Sequence, residues 1–247
     1  MLHTRTPPLG TPVCPNQMVQ LVESSVVPVL DTPWTLRAVV ERGREVLRQE
    51  GVKSLWFRTL GELGYRRAML FELDLATYQQ SEAAPASARF ELLSPSNLED
   101  LLGLVQQCDE REATRRLAAG HVCMLGYVKG RPAYSSWLAT GPVRIDFLGV
   151  QAVPSPGSAY SYELYVGPAF RGLSLATAGL DVRVRILRDR GFKRFVSIVV
   201  PENQAGLRHA LAGGFQPIGW VYCLDVGSPK RCWVRSSLAS TPLQLVR

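Results

Sequence analysis

The sequence is poor in the side chains that usually build metal sites and disulfide frameworks. Its 247 residues include five cysteines and three histidines. No two cysteines have the C-x-x-C spacing that is typical of a zinc site or a redox pair, and their odd number suggests no disulfide framework. We therefore expect no metal site and no disulfide, and we place the protein in a reducing cytoplasm.

Long apolar runs are absent as well. No stretch approaches the roughly 20 apolar residues that a membrane-spanning helix needs. The N-terminal region carries prolines at positions 7, 8, 12 and 15 in place of the apolar segment of a secretion signal. The sequence thus predicts neither a spanning helix nor a secretion signal, which agrees with the cytoplasmic expectation.

Acidic residues are outnumbered by basic ones, which leaves a net charge of +7. Such a charge favours contact with polyanions, anionic membranes or phosphorylated ligands without choosing among them. No motif of a known nucleic-acid-binding domain accompanies it, so we expect no nucleic-acid partner.

Composition divides the chain into three regions. Residues 1–31 are proline-rich and aperiodic, which predicts a flexible tail. Residues 32–88 predict a basic helical extension with one strand and a polar linker. Its arginines and glutamates follow helical spacing, as in Arg37 and Glu41, which leaves two interpretations open. Either the charged face of this helical extension forms salt bridges and docks on the main domain, or it makes peripheral contact with an anionic membrane.

Residues 89–247 predict the main domain. Its first strands flank the turn at Lys129 and Gly130 and pair as a meander, whereas its later strands alternate with helices. Meander pairing followed by helical crossovers predicts an α/β fold with a mixed sheet and helices on both faces.

A strand that runs into a turn of small residues is the most informative feature of the chain. The strand covers residues 160–166, and Gly172, Ser174 and Ala176 open the helix that follows it. Small side chains let backbone N–H groups point into a concavity at the helix N-terminus, where the helix dipole favours an anion. We therefore expect a phosphorylated cofactor at this turn.

This turn resembles the signature of the GNAT superfamily of acyl-CoA-dependent N-acyltransferases, which reads Gln/Arg-x-x-Gly-x-Gly/Ala after a strand. Here Arg171, Ser174 and Ala176 occupy those positions, with serine in place of the first glycine. Residues 195–205 and 213–219 resemble later blocks of the same family. The resemblance extends over about residues 90–225, and the overall pattern is similar to bacterial GNAT-like proteins of polysaccharide-type gene clusters.

The resemblance implies a GNAT fold and a cosubstrate, acetyl-CoA or another acyl-CoA, whose pantetheine arm lies where two strands separate at a bulge. An amine, of a small molecule or an amino sugar, attacks the thioester directly. The implied cofactor-binding residues are Leu164, Tyr165, Val166, Arg171, Gly172, Leu173, Ser174, Leu175, Ala176 and Asn203.

For the proton of the amine, the resemblance favours Glu163 as general base. The alternative is a carboxylate that only pairs with a surface arginine. The family's usual tyrosine acid is replaced by Ala210, beside which His209 is a possible substitute. This replacement keeps a second function open, namely a catalytically inactive CoA-binding or interaction module.

Overall fold

The computed structural model describes residues 64–81, 88–106, 108–225, 231–238 and 241–246. The predicted tail, the helical part of the predicted basic extension with its possible membrane face, and much of the predicted linker lie outside these residues. None of the described helices is long and apolar enough to cross a membrane.

The centre of the fold is an eight-stranded sheet in the order β10-β9-β1-β8-β7-β4-β3-β2. β7 and β8 run parallel, and the other neighbouring pairs run antiparallel. A smaller sheet has the order β11-β6-β5. The strands are β1 (Tyr65–Asp74), β2 (Ala88–Leu92), β3 (Val122–Val128), β4 (Arg131–Ala139), β5 (Val143–Ile145), β6 (Val150–Pro154), β7 (Ser158–Val166), β8 (Arg194–Val199), β9 (Gln216–Leu224), β10 (Arg231–Ser236) and β11 (Leu243–Val246).

Helices cover both faces of the large sheet, as predicted for a mixed α/β fold. Helices α1 (Leu98–Leu104) and α2 (Glu110–Ala118) pack on one face, beside the three-stranded sheet. Helices α3 (Leu175–Asp189) and α4 (Gln204–Ala212) pack on the other. Burial of apolar side chains between these layers stabilises the domain.

Strand β1 corrects the predicted domain division. The sequence analysis assigned this strand to the extension, before the linker, but it lies inside the large sheet. It pairs antiparallel with β8 and with β9, so that Met69 stands opposite both Val199 and Trp220. Leu70 and Phe71 are fully buried on opposite faces. The boundary at residue 88 is wrong for this strand, because its partners lie more than a hundred residues further along the chain.

The expectation of no disulfide is also wrong. Cys223 of β9 and Cys232 of β10 stand directly opposite each other in the antiparallel register, and their sulfur atoms are bonded at 2.05 Å. Pairing across a strand ladder follows from register and leaves no C-x-x-C signature, so the spacing of the cysteines did not reveal it.

Candidate functional site

The central feature of the site is a gap between two neighbouring strands. β7 and β8 pair in parallel over four rungs, from Ser158 opposite Arg194 to Ser161 opposite Ser197. Both strands continue past the last rung, β7 to residue 166 and β8 to residue 199, without further pairing to each other. The backbone groups that line this gap have no strand partner across it, so they can receive an extended ligand.

A bulge in β7 lies beside the gap. Tyr162 pairs with Trp137 and Tyr165 with Ser135, so two residues of β7, Glu163 and Leu164, oppose one residue of β4. Glu163 has a φ angle of +48°, which non-glycine residues adopt at a cost and mainly in such irregular positions. Strand separation and bulge are thus both present where the resemblance expects them.

The predicted anion-binding turn follows β7 after one short 3-10 helix, Pro168–Phe170. Residues 171–174 are exposed, and Gly172 and Ser174 both have positive φ angles, +81° and +55°. The first helical hydrogen bond runs from the Ala178 N–H to the Ser174 carbonyl at 3.0 Å. The N–H groups of the first helical turn therefore have no acceptor within α3 and are available to an anion.

The remaining residues of this turn differ in burial, since some are exposed and one is buried in the core. Arg171 and Leu173 are exposed, Ala176 is half-buried, and Leu175 is buried among core residues such as Met124 and Tyr134. Leu175 therefore anchors the turn by its side chain, so its own contribution to a ligand is limited to the backbone.

Asn203 is the N-cap residue of helix α4, which begins beside the gap. Its Oδ1 accepts a hydrogen bond from the Gly206 N–H at 2.8 Å, which caps α4. With that oxygen committed, the side-chain amide is the group of Asn203 that remains for a ligand.

Glu163 projects to the opposite side of the sheet from α3, toward helix α2. Its Oε1 accepts from Nη2 of Arg116 at 2.7 Å, and its Oε2 accepts from Nη1 of the same guanidinium. Arg116 also donates to Glu112, and its guanidinium lies over the rings of Trp137 and Tyr162. Burial lowers the pKa of Arg116, but its bonds to Glu163 and Glu112 outweigh this and raise the pKa. Glu163 is therefore held by a permanently charged partner.

The sequence of this region matches a known family. Residues 90–212 match the model of the acetyltransferase (GNAT) family. This part of the chain belongs to that family. The match covers β2 to α4 and therefore includes the gap, the bulge and the anion-binding turn.

Three solved structures show more distant likeness. A GNAT protein from Kribbella flavida is 16% identical over 72% of this chain and 65% of its own, with a TM-score of 0.49. A protein of unknown function from Staphylococcus epidermidis is 12% identical over 76% and 77%, with a TM-score of 0.44. An aminoglycoside N-acetyltransferase solved with CoA is 18% identical over 52% and 91%, with a TM-score of 0.43. No curated protein matches the chain.

The α2 side of β7 carries a histidine and tyrosine pair that sequence analysis did not assemble. His121 Nε2 lies 3.1 Å from the Pro142 carbonyl and His121 Nδ1 lies 2.6 Å from the Tyr162 hydroxyl. A carbonyl only accepts, so Nε2 donates and Nδ1 accepts the proton of Tyr162. Burial lowers the pKa of His121, which favours this neutral form. No local sequence pattern reveals the pair, because His121 and Tyr162 are 41 residues apart.

Neither the residue in the usual acid position, Ala210, nor its possible substitute, His209, supplies an acid. Ala210 is buried in the core and has no proton to give. Burial, followed by the charge of Arg183, lowers the pKa of His209 to about 4. His209 is therefore neutral at pH 7 and does not act as a cationic acid.

Proposed function

We propose that the protein transfers an acetyl or other short acyl group from acyl-CoA to an amine, by direct attack of the amine on the thioester. The observation that carries the proposal is the gap between β7 and β8, which is followed, after the 3-10 helix Pro168–Phe170, by the turn at residues 171–176. Thioester, pantetheine and pyrophosphate thereby have adjoining sites on one strand-turn-helix unit of a GNAT domain.

In this proposal the pantetheine arm binds along Leu164, Tyr165 and Val166 as an additional strand. The side of β7 that faces β8 has no ladder beyond Ser161, so its backbone N–H and C=O groups bind the amides of the arm. One of these N–H groups also polarises the thioester oxygen, as in an oxyanion hole.

The pyrophosphate binds at the turn. The N–H groups of residues 172–176 converge on it, and the α3 dipole adds the equivalent of about half a positive charge. Arg171 is exposed, so its guanidinium is accessible to a phosphate oxygen. Asn203 contributes its side-chain amide from the other side of the gap.

The acceptor amine approaches from the α2 side of β7, where the Glu163 side chain is 42% exposed. We assign Glu163 the role of general base, which removes the proton of the attacking amine directly or through a water. Arg116 fixes the carboxylate in one orientation, which favours positioning of the base toward the amine. Small amines, amino sugars among them, suit an accessible carboxylate of this kind.

The direct test is a screen of amines with acetyl-CoA in which release of the CoA thiol is measured. The proposal expects amine-dependent thiol release and a ligand-dependent rise in melting temperature with acetyl-CoA. The absence of any shift with short acyl-CoAs at millimolar concentration would refute it.

The second candidate is a GNAT-type CoA-binding module without catalysis, which the buried Ala210 in the usual acid position favours. It expects the same rise in melting temperature but no thiol release with any amine. The two measurements together therefore separate the candidates.

A further inference from the structure

Arg183 of helix α3 is a buried cation at the vertex of the gap, the point at which β7 and β8 separate. Its side chain is 1% exposed. Nη1 donates to Ser136 Oγ at 2.9 Å and to Ser161 Oγ at 2.8 Å, and Nε donates to the Gly179 carbonyl at 3.2 Å. Its guanidinium lies over the ring of Phe195, 5.3 Å from the centroid. Among the residues that the structure describes, it forms no ion pair with a carboxylate.

The position of this charge follows from its two serine partners. Ser161 stands on the last rung that joins β7 to β8, opposite Ser197. Ser136 is the single β4 residue that faces the bulge. The guanidinium therefore lies directly behind the point at which the two strands separate, on the α3 side of the sheet.

None of the ionisable groups described around Arg183 forms an ion pair with it. His209 of α4 is neutral near pH 7. The phenols of Tyr134 in β4 and Tyr78 after β1 are neutral as well, because burial raises both pKa values. Asp181 is two residues away on the same helix and accepts from the Tyr78 hydroxyl at 2.6 Å. Residues two apart on a helix point in nearly opposite directions.

A buried cation with only neutral partners is costly, since desolvation is not offset by an opposite charge. Such an arrangement is favourable when negative charge develops nearby during the reaction. Direct acyl transfer produces that charge. As the amine nitrogen bonds to the carbonyl carbon, the C–S bond breaks and its electron pair stays on the CoA sulfur.

We propose that the buried charge of Arg183 stabilises the CoA thiolate that departs at the vertex of the gap, so that no general acid is needed there. The proposal rests on the proposed function. The amine proton leaves through Glu163 or water, the sulfur departs unprotonated, and Arg183 acts by its field without touching the cosubstrate. This explains why alanine at residue 210 is compatible with transfer.

A binding measurement on the wild-type protein is sufficient to test the proposal. We compare binding of CoA with that of desulfo-CoA, the analogue without the thiol, by calorimetry between pH 6 and 9.5. A free thiol titrates near about pH 8.5, and a nearby positive charge lowers its pKa by about one unit or more. The dissociation constant of CoA, relative to that of desulfo-CoA, should therefore fall about tenfold or more as pH rises.

Two substitutions sharpen the test. Arg183→Met should remove most of the pH dependence of this ratio, whereas Arg183→Lys, which keeps a charge, should keep part of it. The control is Arg190→Met, which removes an exposed arginine at the far end of α3 and should leave the ratio unchanged. In Arg183→Met, the pKa of His209, followed by NMR, should rise because a neighbouring cation is lost.

A ratio that is flat from pH 6 to 9.5 in the wild type would overturn the proposal while leaving CoA binding, and with it the proposed function, intact. If neither CoA nor desulfo-CoA binds, the proposed function fails and this inference fails with it. If Arg183→Met does not fold, the wild-type ratio and Arg183→Lys still decide.

Discussion

The two sides of strand β7 are built from different kinds of groups. On the α3 side, the gap and the turn at residues 171–176 present backbone N–H and C=O groups, and the buried Arg183 donates to two serines behind the gap. On the α2 side, side chains form a closed set of ion pairs and hydrogen bonds, in which Arg116 binds Glu163 and Tyr162 binds His121. One strand can thus offer backbone groups that suit binding of an extended ligand and, on its other side, side chains that suit chemistry.

The comparison predicts that substitutions on the two sides fail in different ways. The largest effect is expected on the α2 side, from Glu163→Gln. This change keeps the shape but removes the base, so turnover should fall by roughly 10²–10⁴ near neutral pH while CoA affinity persists. The deficit should shrink at higher pH, where more of the free amine is already deprotonated. Steady-state kinetics across pH measures both effects.

Glu112→Gln is the matched control for that experiment. Glu112 also binds Arg116, at 2.7 Å, so its loss disturbs the same guanidinium without touching the assigned base. We expect its effect on turnover to be much smaller. Equal losses in the two variants, or near-normal turnover in Glu163→Gln across the pH range, would show that Glu163 only pairs with Arg116.

On the α3 side, Ser174→Glu should abolish cofactor binding. The new carboxylate lies at the N-cap of α3, where it competes with the pyrophosphate for the same N–H groups and repels it. We expect a loss of acetyl-CoA affinity of at least about 100-fold, which corresponds to about 2.7 kcal/mol, measured by calorimetry. Undiminished acetyl-CoA binding in a folded variant would show that the pyrophosphate binds elsewhere.

A pH-dependent loss of stability is expected from the histidine beside Arg183. The pKa of His209 is about 4 in the folded protein, against about 6.5 in an unfolded chain. The unfolded state therefore binds more protons below pH 6.5, so stability should decrease as pH falls from about 6.5 to 4, by up to about 3 kcal/mol. Urea unfolding of His209→Gln, which does not titrate, should show a weaker decrease than the wild type. Identical profiles would contradict this account.

The turn at residues 171–176 was predictable because contiguous residues determine it. A strand, a positive-φ glycine and small side chains at a helix start occur within about 15 residues, and each follows from local sterics. The mixed sheet with helices on both faces was predictable for a similar reason, since periodicity and connection type are local properties.

The rest of the site was not predictable, because it depends on contacts between distant residues. Arg116 and Glu163 are 47 residues apart, as are Arg183 and Ser136. The place of β1 and the Cys223–Cys232 bond depend on strand order and register, which periodicity does not specify. The contacts of the side chains assigned to chemistry thus required the fold, whereas Glu163 as a candidate and the proposed cofactor edge did not.

The smallest expected effect concerns the serine that replaces the usual glycine. Ser174 adopts a left-handed conformation with φ of +55° and ψ of 20°, which costs an L-residue about 1–2 kcal/mol. Ser174→Gly relieves this strain but makes the unfolded chain more flexible, at a cost of about 0.5–1 kcal/mol. The free energy of unfolding should therefore rise by up to about 1.5 kcal/mol in chemical denaturation, with acetyl-CoA binding retained. A decrease would show that the Ser174 side chain stabilises the turn.

Backbone hydrogen exchange with and without acetyl-CoA tests the central claim most directly, because the proposed cofactor site is made largely of backbone groups. The account predicts that acetyl-CoA slows exchange in peptides covering residues 162–166 and 171–177, with no change in β6, which lies in the other sheet. Protection elsewhere, with these two segments unchanged while acetyl-CoA is bound, would contradict the claim that the gap between β7 and β8 receives the cosubstrate.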